Sequence, residues 1–282
     1  MAMKIPSLLL SAALVSACAT GKENPDLAKP ITGAAASDAA KAYEKGMSEK
    51  KDKNFLEATR YFEAVRNNFP YSQFAALADL AVADMAFERD DFASAASAYQ
   101  DFVKSHPSHP KADYAAFRVG LSNFEDKASD WFILPPSFEK DQGPVKQAVD
   151  AFQRFITAYP KSEYVTRARD LANGCRERLA AHDRYVAGFY WKRKAWKGAA
   201  GRLVSLADNY GDLENGGLRS DSLWRAAVAY QMANDPQSQR DVLQRLVQET
   251  PASDPHHQYA EAELKSLPAL PAPALPAPTP QK

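Results

Sequence analysis

Small and bulky apolar residues alternate with polar ones at helical spacing along this chain, and the pattern repeats. In Asn54 to Ser72, Phe55, Ala58 and Phe62 fall on one face of a helix, with charged residues between them, and Pro70 ends it. Ala58 lets a neighbouring helix approach closely and Phe62 fills the space beside it. The figure returns 37 residues later as Phe92, Ala95, Tyr99 and Pro107, and 53 further on as Val145, Ala148, Phe152 and Pro160. Each has a small residue upstream: Gly46, Ala83 and, allowing for an insertion, Gly120. A small residue on each of two successive helices predicts a helical hairpin that stacks on its neighbours.

Three hairpins are predicted over about 38 to 74, 75 to 111 and 112 to 165, the first opened by Asp38 as helix N-cap. The third carries 16 extra residues between its helices, a loop near 128–143 that includes Trp131-Phe132-Ile133-Leu134-Pro135-Pro136. Consecutive prolines exclude a helix there, so the apolar run either folds back on its own repeat or faces a partner. Ser162 to about Lys194 reads as one long helix or as two with a break near His182-Asp183. The pattern resumes with Ala187, Ala199, Leu203, Leu206 and Gly211, then with Ala227, Gln239, Leu243, Leu246 and Pro251. A last short helix is expected around Tyr259 to Leu264, and 267–282 is a Pro-rich tail that cannot pack a core.

Hairpins of this kind, with a period near 34 residues, are the mark of tetratricopeptide repeats. The expected fold is all-α, a tetratricopeptide-repeat superhelix of about five helical hairpins, with an N-terminal half over 38–177 and a C-terminal half over 178–266.

The N-terminus changes the compartment. Ile5 to Val15 is too short to span a bilayer, which takes about 20 residues, so 1–17 reads as a signal peptide. Val15-Ser16-Ala17-Cys18 resembles a bacterial lipobox, which would make Cys18 the lipidated first residue of the mature chain, followed by a tether over 18–37. With Cys18 modified, Cys175 is the one cysteine left and reads as a buried structural thiol.

Lys plus Arg and Asp plus Glu number 35 each, and a balanced chain has no general attraction for nucleic acid. Lys192-Arg193-Lys194 between Trp191 and Trp196 reads as a helix C-terminus rather than a stacking site. His106 and His109 have a metal-ligand spacing without a third ligand beside them, and no nucleophile elbow, P-loop or dinucleotide turn is present. Neither a metal nor a cofactor is expected, and an enzyme is not the reading.

These features together resemble the BamD family of lipoproteins, which belong to the machine that inserts β-barrel proteins into the bacterial outer membrane. The most specific pieces are N-F-L-E-A-T-R-Y-F-E closed by F-P-Y-S, the run from Phe152 to Tyr164, and Tyr185 to Tyr190 followed by Ala195-Trp196. The resemblance implies a scaffold at the periplasmic face of the outer membrane, lipid-anchored, beside other accessory lipoproteins. Its first three repeats would receive the C-terminal segments of unfolded outer-membrane proteins. Its last two would dock on the periplasmic domains of a BamA-type barrel protein, with Arg202 pairing with a partner carboxylate near Trp196 and Tyr190. The same shape also suits a periplasmic coordinator of cell-wall synthesis or cell division. First-helix positions counted from the small residues nominate Tyr43, Met47, Lys50, Leu80, Phe87, Phe117, Leu121 and Phe124 as the lining of a peptide groove, with Lys50 meeting a carboxylate. Coverage by neighbouring turns of the superhelix is the other reading of that apolar set.

Overall fold

The computed structural model describes residues 35–126 and 140–268. Cys18 and the signal peptide, the apolar run Trp131 to Pro136 and the Pro-rich tail from 269 lie outside the described residues. Among the described residues there are eleven α-helices and no strand. The chain divides into two compact units, one ending at Ala78 and one beginning at Asp79.

In the first unit, α1 (Ala35–Lys51) pairs with α2 (Phe55–Asn68). α1 starts three residues before Asp38, so Asp38 lies in its first turn instead of capping it; the preceding alanines are the best of helix formers. Phe62 is fully buried over Gly46, where a Cβ atom would fall 2.7 Å from the ring. The small residue is therefore the seat of the large one, as the spacing predicts.

The second unit takes in most of α3 (Gln73–Glu88), then α4 (Phe92–Ser105), α5 (Ala112–Glu125) and α6 (Gly143–Ala158). It continues through α7 (Val165–Lys192), α8 (Trp196–Tyr210), a 3-10 turn at Leu213–Gly216, α9 (Gly217–Met232), α10 (Pro236–Glu249) and α11 (Pro255–Ser266). One core gathers Phe117, Leu121, Val145, Phe152, Phe155, Val165, Cys175 and Leu179. The other gathers Ala187, Leu203, Leu206, Leu218, Leu223, Leu243 and Leu246, and the Tyr210 ring packs on both. α7 is one continuous helix of 28 residues, and the 177/178 boundary falls inside it.

Four hairpins close with the same three-residue turn. Its middle residue is left-handed and is never glycine: Lys53 (φ 60°), Asp90 (59°), Lys194 (58°) and Asn234 (53°). The residue after it donates its N–H to a carbonyl five positions back, as Asn54 to Glu49, Asp91 to Ala86, Ala195 to Tyr190 and Asp235 to Tyr230. This six-to-one bond satisfies a carbonyl that the helix end would orphan. Asp91 and Asp235 then cap the second helix, each accepting an N–H three residues on, from Ser94 and Ser238. Between hairpins, Phe69, His106 and Tyr159 each precede a proline and share extended φ near −130°, the region that proline imposes on its predecessor.

Candidate functional site

The eight groove candidates separate by burial. Leu80 (4 % exposed), Phe117 (2 %) and Leu121 (7 %) are core residues and offer no surface to a ligand. Phe117 stacks on Tyr164 at 5.0 Å and meets Phe152 and Phe155 at about the same separation, 5.9 and 5.8 Å. These three are corrected from groove lining to hairpin packing. α3 and α5 each turn more than one face inward, and spacing from the small residue does not tell those faces apart. In the first unit Met47 is exposed, Lys50 is half-buried, and Tyr43 rests against Phe62 and Phe74. In the second, Phe87 and Phe124 are half-buried.

Phe87 is part of a polar and aromatic cluster absent from the sequence reading. The Arg118 guanidinium lies 3.8 Å from the Phe87 ring centre, with the rings of Tyr99 and Tyr114 at 5.2 and 5.6 Å. Its Nε donates to the Tyr99 hydroxyl (2.9 Å). Tyr99 and Tyr114 both donate to Asp84 Oδ1, at 2.5 and 2.9 Å. Burial, reinforced by the Asp84 charge, pushes the Tyr99 phenol well above its ordinary value and that of Tyr114 up to about 12. Both phenols therefore stay protonated donors. A charged residue on the otherwise apolar stripe of α5 was the signal that could have found this cluster.

His106 is engaged by a carboxylate. Its Nε2 lies 3.1 Å from Asp79 Oδ2, while its imidazole and that of His109 pack on the Phe102 ring. Burial, with His106 and Lys111 nearby, pushes His109 below its usual value. Among the described residues no cluster of His, Cys, Asp and Glu could hold a metal, and no helix is long and apolar enough to cross a membrane.

The docking candidates lie on α7 and α8. Arg202 is about half exposed and reaches Asp183 Oδ1 only at 3.9 Å. Trp196 meets Trp191 edge-on at 5.4 Å, and Tyr190 lies over Gly198, where a Cβ would be 3.0 Å from the ring. Beside them a cavity of about 270 Å³ opens between α7, α8 and α9. Its floor is Ala187, Gly188, Trp191, Leu203 and Leu206, and its rim carries Arg184, Lys192, Asp221 and Arg225. The helices here are tied by charge: Arg245 bonds both Asp208 and Glu249, Arg219 bonds Glu249, and Arg176 bonds Asp212. Arg245 holds the Glu249 carboxyl below the usual carboxylate range, and Arg176 does the same for Asp212.

Several known proteins are similar to this chain. A protein named outer membrane protein assembly factor BamD from Neisseria meningitidis serogroup A is 28 % identical over 215 residues, covering 76 % of this chain and 79 % of its own. Its counterpart of the same name from Haemophilus influenzae is 27 % identical over 246 residues, covering 83 % and 88 %. Among solved structures, the TPR2AB domain of yeast Sti1, in its complex with pHSP90, aligns with a TM-score of 0.39 at 13 % identity, over 82 % of this chain and 97 % of that one. The family model described as YfiO, outer membrane lipoprotein, matches residues 35–251, from the first described helix to the turn after α10. With that match spanning well over half of its length, the chain belongs to the YfiO family of outer membrane lipoproteins.

Proposed function

We propose that this chain is a non-catalytic scaffold of outer-membrane β-barrel assembly, held at the periplasmic face of the membrane through a lipid on Cys18. It receives C-terminal segments of unfolded barrel proteins on first-helix surfaces, with Tyr43 and Met47 on α1 and Phe87 and Phe124 on α3 and α5. Through α7 and α8 it docks on the periplasmic domains of a BamA-type barrel protein, beside other accessory lipoproteins. The family match over residues 35–251 carries this reading, because it takes in every hairpin on which those surfaces lie. Arg202 supports the docking step: a half-exposed guanidinium with one long contact is available to a partner carboxylate.

Affinity capture from detergent-solubilised envelope tests it. The expected co-purifying protein is a large barrel carrying periplasmic domains. Recovery of cell-wall synthases in its place would move the chain to the alternative role of a coordinator of wall synthesis or division.

A further inference from the structure

Arg118 has its side edge committed and its end free. Nε is bonded to Tyr99, yet neither terminal nitrogen has an acceptor among the described residues. A guanidinium carries five N–H donors, and the two terminal nitrogens form the fork that takes a carboxylate bidentately. The fork is also held in place: the Phe87 ring supports the plane of the group at 3.8 Å, and the Tyr99 hydroxyl fixes its rotation. A pre-positioned fork loses little side-chain freedom on binding, unlike a lysine ammonium on a flexible stem.

Asp84 is the charge that would quench it, and the geometry keeps it occupied. It makes no ion pair with Arg118; the two are linked only through the Tyr99 hydroxyl, while Tyr114 adds a second donor to the same Asp84 oxygen. Two protonated phenols disperse the Asp84 charge on its own side of the cluster and leave the Arg118 end uncompensated.

We infer that Arg118 takes a carboxylate of a bound peptide, the terminal one of a segment ending in an aromatic residue, with the ring of that residue lying along the Phe87 and Phe124 side of α3 and α5. This assigns the carboxylate to Arg118 rather than to Lys50, and it rests on the reading that this face receives peptides.

The test uses purified chain and two fluorescein-labelled octapeptides of one sequence ending in Phe, one with a free carboxylate and one amidated, compared by fluorescence anisotropy. Wild-type protein should bind the acid about tenfold more tightly, the scale of a hydrogen bond to a charged group. Arg118→Gln should bind both peptides as wild type binds the amide, with Arg118→Lys in between and Lys50→Gln keeping the preference. Binding of both peptides without an acid preference by wild type overturns the inference, and that comparison needs no variant to fold. So does a preference that survives Arg118→Gln, or an equal loss for both peptides together with a lower melting temperature, which would make Arg118 a brace for Tyr99 and Asp84. If wild type binds neither peptide, the receiving role itself falls and the inference with it.

Discussion

Gly120 lies directly under Phe152: a methyl group at that position would stand 2.5 Å from two carbons of the ring. Phe152 is fully buried and packed against Phe117, so it cannot yield. Gly120→Ala should cost about 1 to 3 kcal/mol by overpacking, even though alanine is the better helix former. Chemical denaturation checks this; a variant as stable as wild type would show that the hairpin can open by that much.

The left-handed turn residues offer the opposite change. A non-glycine residue in that region costs about 1 to 2 kcal/mol, offset partly by the larger entropy glycine loses on folding. Lys194→Gly, at φ 58° on an exposed turn, should therefore raise stability by about 0.5 to 1 kcal/mol. A neutral or lower midpoint would count against strain at this position.

Ala195 occupies the N-cap of α8 and has no side chain to give, whereas Asp91 and Asp235 cap the matching helices. Ala195→Asp should add about 0.5 to 2 kcal/mol, read as a higher thermal midpoint. Sensitivity of that gain to added salt would reveal a contribution from the neighbouring Lys194 and Lys197.

Tyr114 sets an alkaline limit. Its phenol titrates near 12 in the folded chain, against about 10 when unfolded, so between those values the native state holds the extra proton. The stabilisation is complete below about pH 10 and is lost as pH rises toward 12. Absorbance at 295 nm should show late-ionising tyrosines that titrate together with loss of helical dichroism, and Tyr114→Phe should flatten this dependence.

Arg202→Glu should weaken recovery of the barrel partner while leaving helicity and melting temperature nearly unchanged. Its internal contact is a long surface pair of little energetic worth. Restored recovery with a charge-reversed partner would make the pairing direct; undiminished recovery would remove Arg202 from the interface.

Much of the fold was legible because a small residue beneath a large one is a local, periodic signal. Gly46 with Phe62 and Gly120 with Phe152 meet as the spacing requires. Tyr190 and Trp196 were nominated by the family resemblance alone, and their packing against Gly198 and Trp191 was not legible. The hairpin turns escaped notice because lysine, aspartate and asparagine occupy the conformation where glycine would have marked it. α7 was ambiguous because helix-friendly residues run on through His182 and Asp183, and nothing in composition distinguishes a continuation from a tight turn. The groove was misjudged at Leu80, Phe117 and Leu121 for a different reason. Period 3.6 identifies apolar residues without saying which neighbouring helix covers them, and it carries no signal for Arg118, the charge among them.

The unbroken α7 also acts as a phase shaft. An α-helix advances about 1.5 Å and turns about 100° with every residue, so the angle between whatever packs at Val165 and whatever packs at Lys192 is counted out by the number of residues between them. Deleting one residue near Gly174, where no neighbour crowds the helix, would shorten the shaft trivially. It would nonetheless swing everything after it about a quarter-turn, so that the Arg118 and Arg202 surfaces would address different directions. The length of α7 is thus a setting of orientation, and loss of four residues, close to a full turn, should be far better tolerated than loss of two.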